Sequence, residues 1–401
     1  MTNFDSAIST PISSSASFSY SNSKEAEDIF SGNCSKPLYS RMGNPTSSIL
    51  EQKMASLEGA IGGIATSSGM GAISMAIMSL CDSGDEVLAI GGLFGGSYAL
   101  LSQTLPRFNI NSKFFKADDL ENLEKSIAPQ TKVIFCESVG NPNLRLVDIE
   151  AIGKIASKHQ IAFIVDNTIT PIIVKPLELG ADIVVYSTTK IISGNSSALG
   201  GIALFRKLED SDKFKSNRYQ FLSPFIEKLG SKALIGSAKK RVLRDLGMSA
   251  NANASYYTLL GLETLELRNK RVNNSCEIIA RKLQDTHINV NHPSLLTNID
   301  HELYLSKYSN GCGTIVTIDM GTKDRAFKLL DNCKLLTLTA NIGDSRTLAL
   351  HMASTIYRDF SDNEKSLLGI TDGLIRLSIG LEDPDLIATD IINSFLIVEN
   401  G

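Results

Sequence analysis

Lys190 closes the stretch Ala181-Asp-Ile-Val-Val-Tyr-Ser-Thr-Thr-Lys190. Its apolar part, Ile183 to Val185, leads straight into Ser187, Thr188, Thr189 and Lys190. A second apolar run upstream, Ile161-Ala-Phe-Ile-Val165, ends in Asp166, Asn167 and Thr168. Read as strands, the two runs deliver one carboxylate and one amine at neighbouring carboxyl ends. In an open parallel sheet that edge is where ligands bind. A lysine able to form a Schiff base, with an acid to hold a pyridinium nitrogen, is the pair that pyridoxal phosphate (PLP) chemistry needs. A solvated lysine and a capping aspartate would look the same in isolation, because surface charge is the default for lysine. The rest of the chain has to decide.

Other segments offer complementary chemistry. Ser67-Ser-Gly-Met-Gly-Ala-Ile73 opens a helix, and its small residues let the backbone approach a ligand. Free N–H groups there suit a phosphate, although an N-cap before a tightly packed helix has the same composition. Asn141 precedes Pro142 in Glu137-Ser-Val-Gly-Asn-Pro142 and is biased to an extended or turn conformation. Its amide suits a ring oxygen of a cofactor. Phe94, at the end of another strand, offers a flat face for stacking. Tyr39 and Arg41 lie in an arm outside any sheet, and a guanidinium fork matches a phosphate. Arg376 sits between apolar neighbours in Leu374-Ile-Arg-Leu-Ser-Ile379. A buried arginine needs a carboxylate, either a protein one or a substrate's.

These residues must be positioned by a large chain. Its 401 residues fit two or three domains. With 39 Lys+Arg against 43 Asp+Glu the formal charge is −4, and no basic excess points to nucleic acid or anionic lipid. No apolar stretch is long enough to span a membrane, and the first residues lack a signal-peptide pattern. Six scattered cysteines, at 34, 81, 136, 276, 312 and 333, contain no C-x-x-C pair, and histidines number five. No metal site or disulfide framework is expected, and a reducing cytoplasm is the expected location.

The Ser-rich residues 1–50 read as an extended arm. Residues 50–57 read as helix, 59–70 as a Gly/Ser-rich turn and 72–80 as helix. A strand is expected over 86–90, a helix over 95–105, a strand over 133–136, a helix over 149–158, and strands over 161–165 and 183–185. This alternation argues a mostly parallel sheet covered on both faces. Beyond 205 the texture changes, with a long helix over 259–283, strands over 314–319 and 374–379 and a helix over 323–330, which suggests a smaller α+β unit. The expected division is an arm (1–50), a cofactor-binding α/β domain (51–245) and a C-terminal α+β domain (246–401).

Taken in order, Y-S-R-x-G-N-P-T, S-S-G-M, E-S-x-x-N-P, D-N-T, S-x-T-K and R-L-S-x-G-x-E resemble the Cys/Met-metabolism (trans-sulfuration) family of PLP enzymes. The resemblance runs from about Pro11 to about Phe395. It implies the PLP-dependent transferase fold type I, with a mostly parallel sheet in the large domain and a smaller α+β C-terminal domain. It implies Lys190 as the Schiff-base lysine and proton shuttle and Asp166 as the pyridinium partner. It implies Gly69, Met70, Ser68, Ser187 and Thr189 around the phosphate, and Asn141, Asn341 and Arg376 at the substrate, with Asn141 also on the ring oxygen. Tyr39 and Arg41 are implied to reach the neighbouring subunit's phosphate, so that a homodimer is the catalytic unit, usually paired into a homotetramer.

Within the family, Gly261-Leu-Glu-Thr-Leu-Glu-Leu-Arg268 and Ala340-Asn-Ile-Gly-Asp-Ser345 resemble the O-acetylhomoserine sulfhydrylase branch, and Gly96 stands where methionine γ-lyases carry Cys. The expected reaction is γ-replacement on an O-acylated homoserine by sulfide or a thiol. Rival readings are a γ-elimination lyase acting on methionine or cystathionine, a cystathionine γ-synthase, and an inactive relative kept as a binding protein. Phe94 replaces the usual stacking Tyr, so the proton-transfer duty of the missing hydroxyl is expected to pass to Tyr39 or Lys190, which makes Tyr39 a candidate catalytic residue beside Lys190 and Asp166. Asn195 replaces a common His, and Met352 and Tyr357 a usual Pro and His near the substrate entrance. A nicotinamide-binding reading fails for want of G-x-G-x-x-G after the first strand.

Overall fold

A computed structural model describes residues 8–34, 36–209 and 212–400. Seven strands form the larger sheet: β1 (Gly62–Thr66), β2 (Glu86–Ile90), β3 (Asn111–Phe115), β4 (Thr131–Glu137), β5 (Ala162–Asp166), β6 (Ile183–Tyr186) and β7 (Gly201–Phe205). Their order is β1-β7-β6-β5-β4-β2-β3. Neighbours from β6 to β3 pair in parallel, and β7 runs against both β6 and β1.

The central strands are buried on both faces. In β4, Val133 and Phe135 join the core on one side while Ile134 and Cys136 join the core on the other. β5 and β6 divide their residues in the same alternating way. A strand that faces helices on both sides reads as an unbroken apolar run. That is why 133–136, 161–165 and 183–185 were legible as strands. Three strands were not. β1 begins with two glycines, so the expected turn over 59–70 in fact contains a strand. β3 is partly exposed, and β7 follows the loop beyond Lys190.

The second sheet holds β8 (Val290–Asn291), β9 (Ile315–Asp319), β10 (Thr337–Leu338), β11 (Leu348–His351) and β12 (Leu374–Ser378), in the order β10-β11-β12-β9-β8. Its inward residues, among them Val316, Ile318, Ile375 and Leu377, pack with the helices Leu265–Asp285, Lys323–Asn332 and Pro384–Asn400. The expected helix over 259–283 is two helices, Ala252–Leu262 and Leu265–Asp285, separated where Thr264 leaves helical angles at φ −116°, ψ 7°. The expected helix over 95–105 is α-helical only over Gly95–Ala99; it continues as a wider turn and then a tight 3-10 turn at Leu105–Phe108, which contains Pro106.

The N-terminal segment also departs from a plain extended arm. Ser17 pairs with Tyr39 in an isolated β-bridge, but Ser23–Ser31 is a helix capped by Asn22 and Gly32. Thr46 anchors the segment, accepting the Ser13 N–H at 2.9 Å and donating to the Pro11 carbonyl at 2.8 Å.

Candidate active site

The carboxyl ends of β4, β5 and β6 open into a cavity of about 220 Å³. Ser68, Gly69, Met70, Phe94, Asn141, Asp166, Ser187, Thr189, Lys190 and Arg376 all line it. So do Glu137, Thr168 and an apolar wall that includes Ile169, Leu199 and Ile342. Residues separated by some 300 positions in sequence therefore meet at one sheet edge.

The helix Gly69–Met78 presents its N-terminus here. The Ser68 hydroxyl accepts the Gly71 N–H at 3.0 Å. The Gly69 and Met70 N–H groups belong to the first turn and have no intrahelical partner. A Cβ on Gly69 would lie 2.6 Å from Ser187 Cβ, so only glycine lets this turn press against the end of β6. The Thr189 hydroxyl already donates to the Gly200 carbonyl at 3.1 Å and accepts its N–H at 3.0 Å. Unpaired N–H groups at a positive helix end, with hydroxyls beside them, fit a phosphate.

Asp166 ends β5. Its Oδ1 accepts both the Thr168 N–H at 2.9 Å and the Thr168 hydroxyl at 2.6 Å. Oδ2 accepts no hydrogen bond among the described residues. The same Thr168 hydroxyl accepts the Ser187 N–H at 2.8 Å, tying the ends of β5 and β6 together. Glu137 lies beside Asp166 in register on β4 and accepts the Phe94 N–H at 2.8 Å. Burial pushes the Glu137 carboxyl well above the carboxylate range, and the Asp166 charge pushes it further. Burial raises Asp166 too, against the two bonds from Thr168. Like carboxylates this close do not both ionise. Neutral Glu137 leaves Asp166 to carry the charge, and a protonated ring nitrogen would stabilise that charge.

Lys190 follows β6 on a tight turn. The Arg268 guanidinium braces this turn, donating to the carbonyls of Ile191, of Ile192 at 3.0 Å and of Gly261 at 2.7 Å. The Lys190 amine donates to Asn341 Oδ1 at 2.6 Å. Burial, with the Arg376 cation nearby, lowers the amine from 10.5 to about 8.

Arg376 lies on β12 and is only 2% exposed. It donates to Asn141 Oδ1 at 3.1 Å and to the carbonyls of Ala340 and Asn341 at 3.2 and 3.3 Å. It forms no ion pair among the described residues. Burial brings its guanidinium down to about 10, which still leaves it charged at neutral pH. Of the two partners the sequence left open, a protein carboxylate is not paired with Arg376 among the described residues.

Tyr39 and Arg41 do not join the cavity. Tyr39 is exposed, Arg41 stacks on it at 5.6 Å from the ring centroid, and the guanidinium donates to the Arg244 carbonyl. Met352 and Tyr357 are not at an entrance. Both are fully buried in the core, and the Tyr357 hydroxyl donates to the Asn141 carbonyl at 3.0 Å from behind the cavity wall. Asn195 is exposed, and its side chain accepts the Ser197 N–H at 3.2 Å. Sequence reasoning missed Glu137, Thr168 and Arg268 as parts of the site. The first two sit inside the quoted E-S-x-x-N-P and D-N-T motifs, and Arg268 carried no positional signal before the turn it braces was known.

The donor set therefore fits PLP: an anion cradle, an acid for a ring nitrogen, an aromatic face and a lowered amine converge on one cavity. Comparison with known proteins agrees. The chain is 35% identical to the homocysteine/cysteine synthase of Saccharomyces cerevisiae, covering 98% of this chain and 93% of that protein. It is 33% identical to an L-methionine gamma-lyase of Fusobacterium nucleatum subsp. polymorphum, covering 96% and 92%. Its fold matches a Campylobacter jejuni crystal structure described as an O-acetylhomoserine (thiol)-lyase, with a TM-score of 0.91, 35% identity and coverage of 98% and 96%. That neighbour carries N'-pyridoxyl-lysine-5'-monophosphate. A model of the Cys/Met metabolism PLP-dependent enzymes matches residues 2–396, and the chain belongs to that family.

Proposed function

We propose that this enzyme replaces the γ-substituent of an O-acylated homoserine, with O-acetylhomoserine and sulfide or a thiol as the reactants and homocysteine or methionine as the products. The observation that carries this reading is Arg376, a buried cation with no ion-pair partner among the described residues, lining the same cavity as the lowered Lys190 amine. An α-amino acid whose carboxylate met Arg376 and Asn141 would have its α-carbon held in the cavity that Lys190 lines. A desolvated charge pair of this kind binds strongly only if its partner is present.

PLP, when bound, supplies an aldehyde for the substrate amino group and a ring that draws electrons away from the α- and β-carbons. In the proposed arrangement the Gly69 and Met70 N–H groups, with Ser68, Ser187 and Thr189, hold its phosphate. Asp166 holds the ring nitrogen, Phe94 lies against the ring face, and Asn141 offers its Nδ2 to the ring oxygen. Lys190, neutral once free, takes the α-proton and returns protons later, and Asn341 holds the amine meanwhile. Ile169 and Ile342, with the exposed Leu199 beside them, give the cavity an apolar lining.

Tyr39 and Arg41 complete the same proposal. Exposed in their own chain, they would reach the phosphate of a neighbouring subunit, making a homodimer the catalytic unit and a homotetramer its pairing. The division into 1–50, 51–245 and 246–401 follows, with the arm serving the neighbour. Six unpaired cysteines suit the reducing cytoplasm.

γ-Elimination is the second reading, since the same cavity would serve if the γ-carbon took up a proton in place of a sulfur nucleophile and the released enamine hydrolysed to 2-oxobutyrate and ammonia. The test uses PLP-loaded enzyme with O-acetyl-L-homoserine, with and without sulfide, and L-methionine in parallel. Homocysteine formed only when sulfide is present is the expected result. 2-Oxobutyrate from methionine without an added nucleophile would replace this reading by a γ-lyase.

A further inference from the structure

The Lys190 amine is the inner end of a hydrogen-bond chain that runs outward to the surface. It donates to Asn341 Oδ1 at 2.6 Å. Asn341 Nδ2 donates to the Ser196 hydroxyl at 2.9 Å. That hydroxyl donates to Asp344 Oδ2, and Asp344 is bound by Arg346 through Nε at 2.9 Å and Nη2 at 3.1 Å. Asp344 is 3% exposed while Arg346 is exposed. Burial alone would raise the Asp344 carboxyl, but its bonds from Arg346 and Ser196 outweigh that and hold it at about 2.

An ionised carboxylate only accepts hydrogen bonds. Ser196 must therefore give Asp344 its single proton and keep only lone pairs for Asn341. The Asn341 amide must then turn its NH₂ to Ser196 and its oxygen to Lys190. Every donor in the chain is assigned by the carboxylate at its far end. The two segments are also clamped by backbone: the Ser345 N–H donates to the Gly194 carbonyl at 2.9 Å.

We infer that Ser196 and Asp344 are positioning residues that fix the sense of the Asn341 amide and so aim the Lys190 amine. This rests on the reading of Lys190 as the proton-transfer group. Without the Ser196–Asp344 pair the amide is free to turn its NH₂ toward Lys190, which disfavours the ammonium form. The other titratable or charged groups that line the cavity with Lys190 are Arg376 from β12, Asp166 from β5 and Glu137 from β4, and none of them hydrogen-bonds Ser196 among the described residues.

The experiment compares wild type, Ser196→Ala, Asp344→Asn and Ser196→Thr. In the first arm, the full chain freed of PLP is labelled with acetic anhydride across pH, and the Lys190 adduct is quantified by mass spectrometry. In the second, PLP-loaded enzyme exchanges the α-proton of a non-eliminating amino acid, L-alanine, in D₂O. Ser196→Ala and Asp344→Asn should lower the labelling midpoint of Lys190 by about half a pH unit, since hydrogen bonds to one protonation state shift the other. They should also slow exchange about tenfold at unchanged affinity for the amino acid, the signature of lost orientation. Ser196→Thr, which keeps the hydroxyl, should match wild type in both arms. An unmoved midpoint, or a shifted midpoint with unaltered exchange, overturns the positioning role. Absence of exchange in wild type would instead overturn Lys190 as the proton-transfer group, and the labelling arm would still judge the chain of bonds.

Discussion

A Cβ built on Gly96 would lie 2.6 Å from Cε1 of the Phe94 ring and 3.2 Å from the Met70 sulfur. Phe94 occupies the space that any side chain at 96 would need. The Gly at 96 and the Phe at 94 are thus one packing decision. The cysteine that some family members carry at this place is incompatible with the ring position seen here.

Gly96→Ala should accordingly displace the Phe94 ring from the cavity. Loss of one aromatic stacking contact is worth about 1 kcal/mol, or roughly a fivefold weaker hold on PLP. Equilibrium dialysis of PLP against wild type and variant measures this directly, and equal affinities would show that Phe94 does not meet the ring.

Arg376→Ala removes the buried guanidinium that the proposed function assigns to the substrate carboxylate. kcat/KM should fall by about 10²- to 10³-fold, mostly through KM, because a buried charged hydrogen bond is lost on one side only. Arg376→Lys should not recover it, since one ammonium cannot serve Asn141, two carbonyls and a carboxylate together. Steady-state kinetics on the amino-acid substrate decides, and an unchanged KM would remove Arg376 from substrate binding.

Lys190 illustrates a site that costs stability. Its amine is lowered from 10.5 to about 8 by burial first and by Arg376 second. The unfolded chain keeps the proton up to about 10.5, so the folded state bears the full penalty below about 8 and none above 10.5. Lys190→Met should therefore stabilise the PLP-free protein by about 3 kcal/mol at pH 7. That advantage should shrink as pH rises through the window between the two values. Thermal unfolding at several pH values tests this, and a gain that grew with pH would contradict the sign. The same variant loses turnover and the visible absorbance of lysine-bound PLP, as expected of a group kept for function at the expense of stability.

Arg41 gives a test of shared sites. Arg41→Ala and Lys190→Ala proteins should each be nearly inactive alone. Unfolded together and refolded, they should recover about a quarter of wild-type activity, because each mixed dimer holds one intact site. No recovery would place Arg41 outside the neighbour's site.

Much of this was legible in the chain itself. Strands buried on both faces have continuous apolar sequences, so β4, β5 and β6 and the polar residues at their ends, including Asp166 and Lys190, could be placed from sequence alone. The Ser68-Gly69-Met70 turn was legible because helix capping is local. The family motifs extended that reading to Arg376 and Asn341, far along the chain. What sequence could not settle depends on pairing across distance. A two-glycine start concealed β1, whose identity as a strand comes from its pairing with β7. Whether Arg376 had a protein carboxylate was undecided until it was seen bonded to Asn141 and paired with no acid among the described residues. Arg268 and Ser196 acquire meaning only from the turn and the amide they touch, and Tyr357 moved from a supposed entrance to the core behind Asn141. Periodicity and capping are properties of neighbouring residues and can be read in line. The protonation and aim of Lys190 are set by burial, by Arg376 and by Asn341, which only the folded chain brings to it.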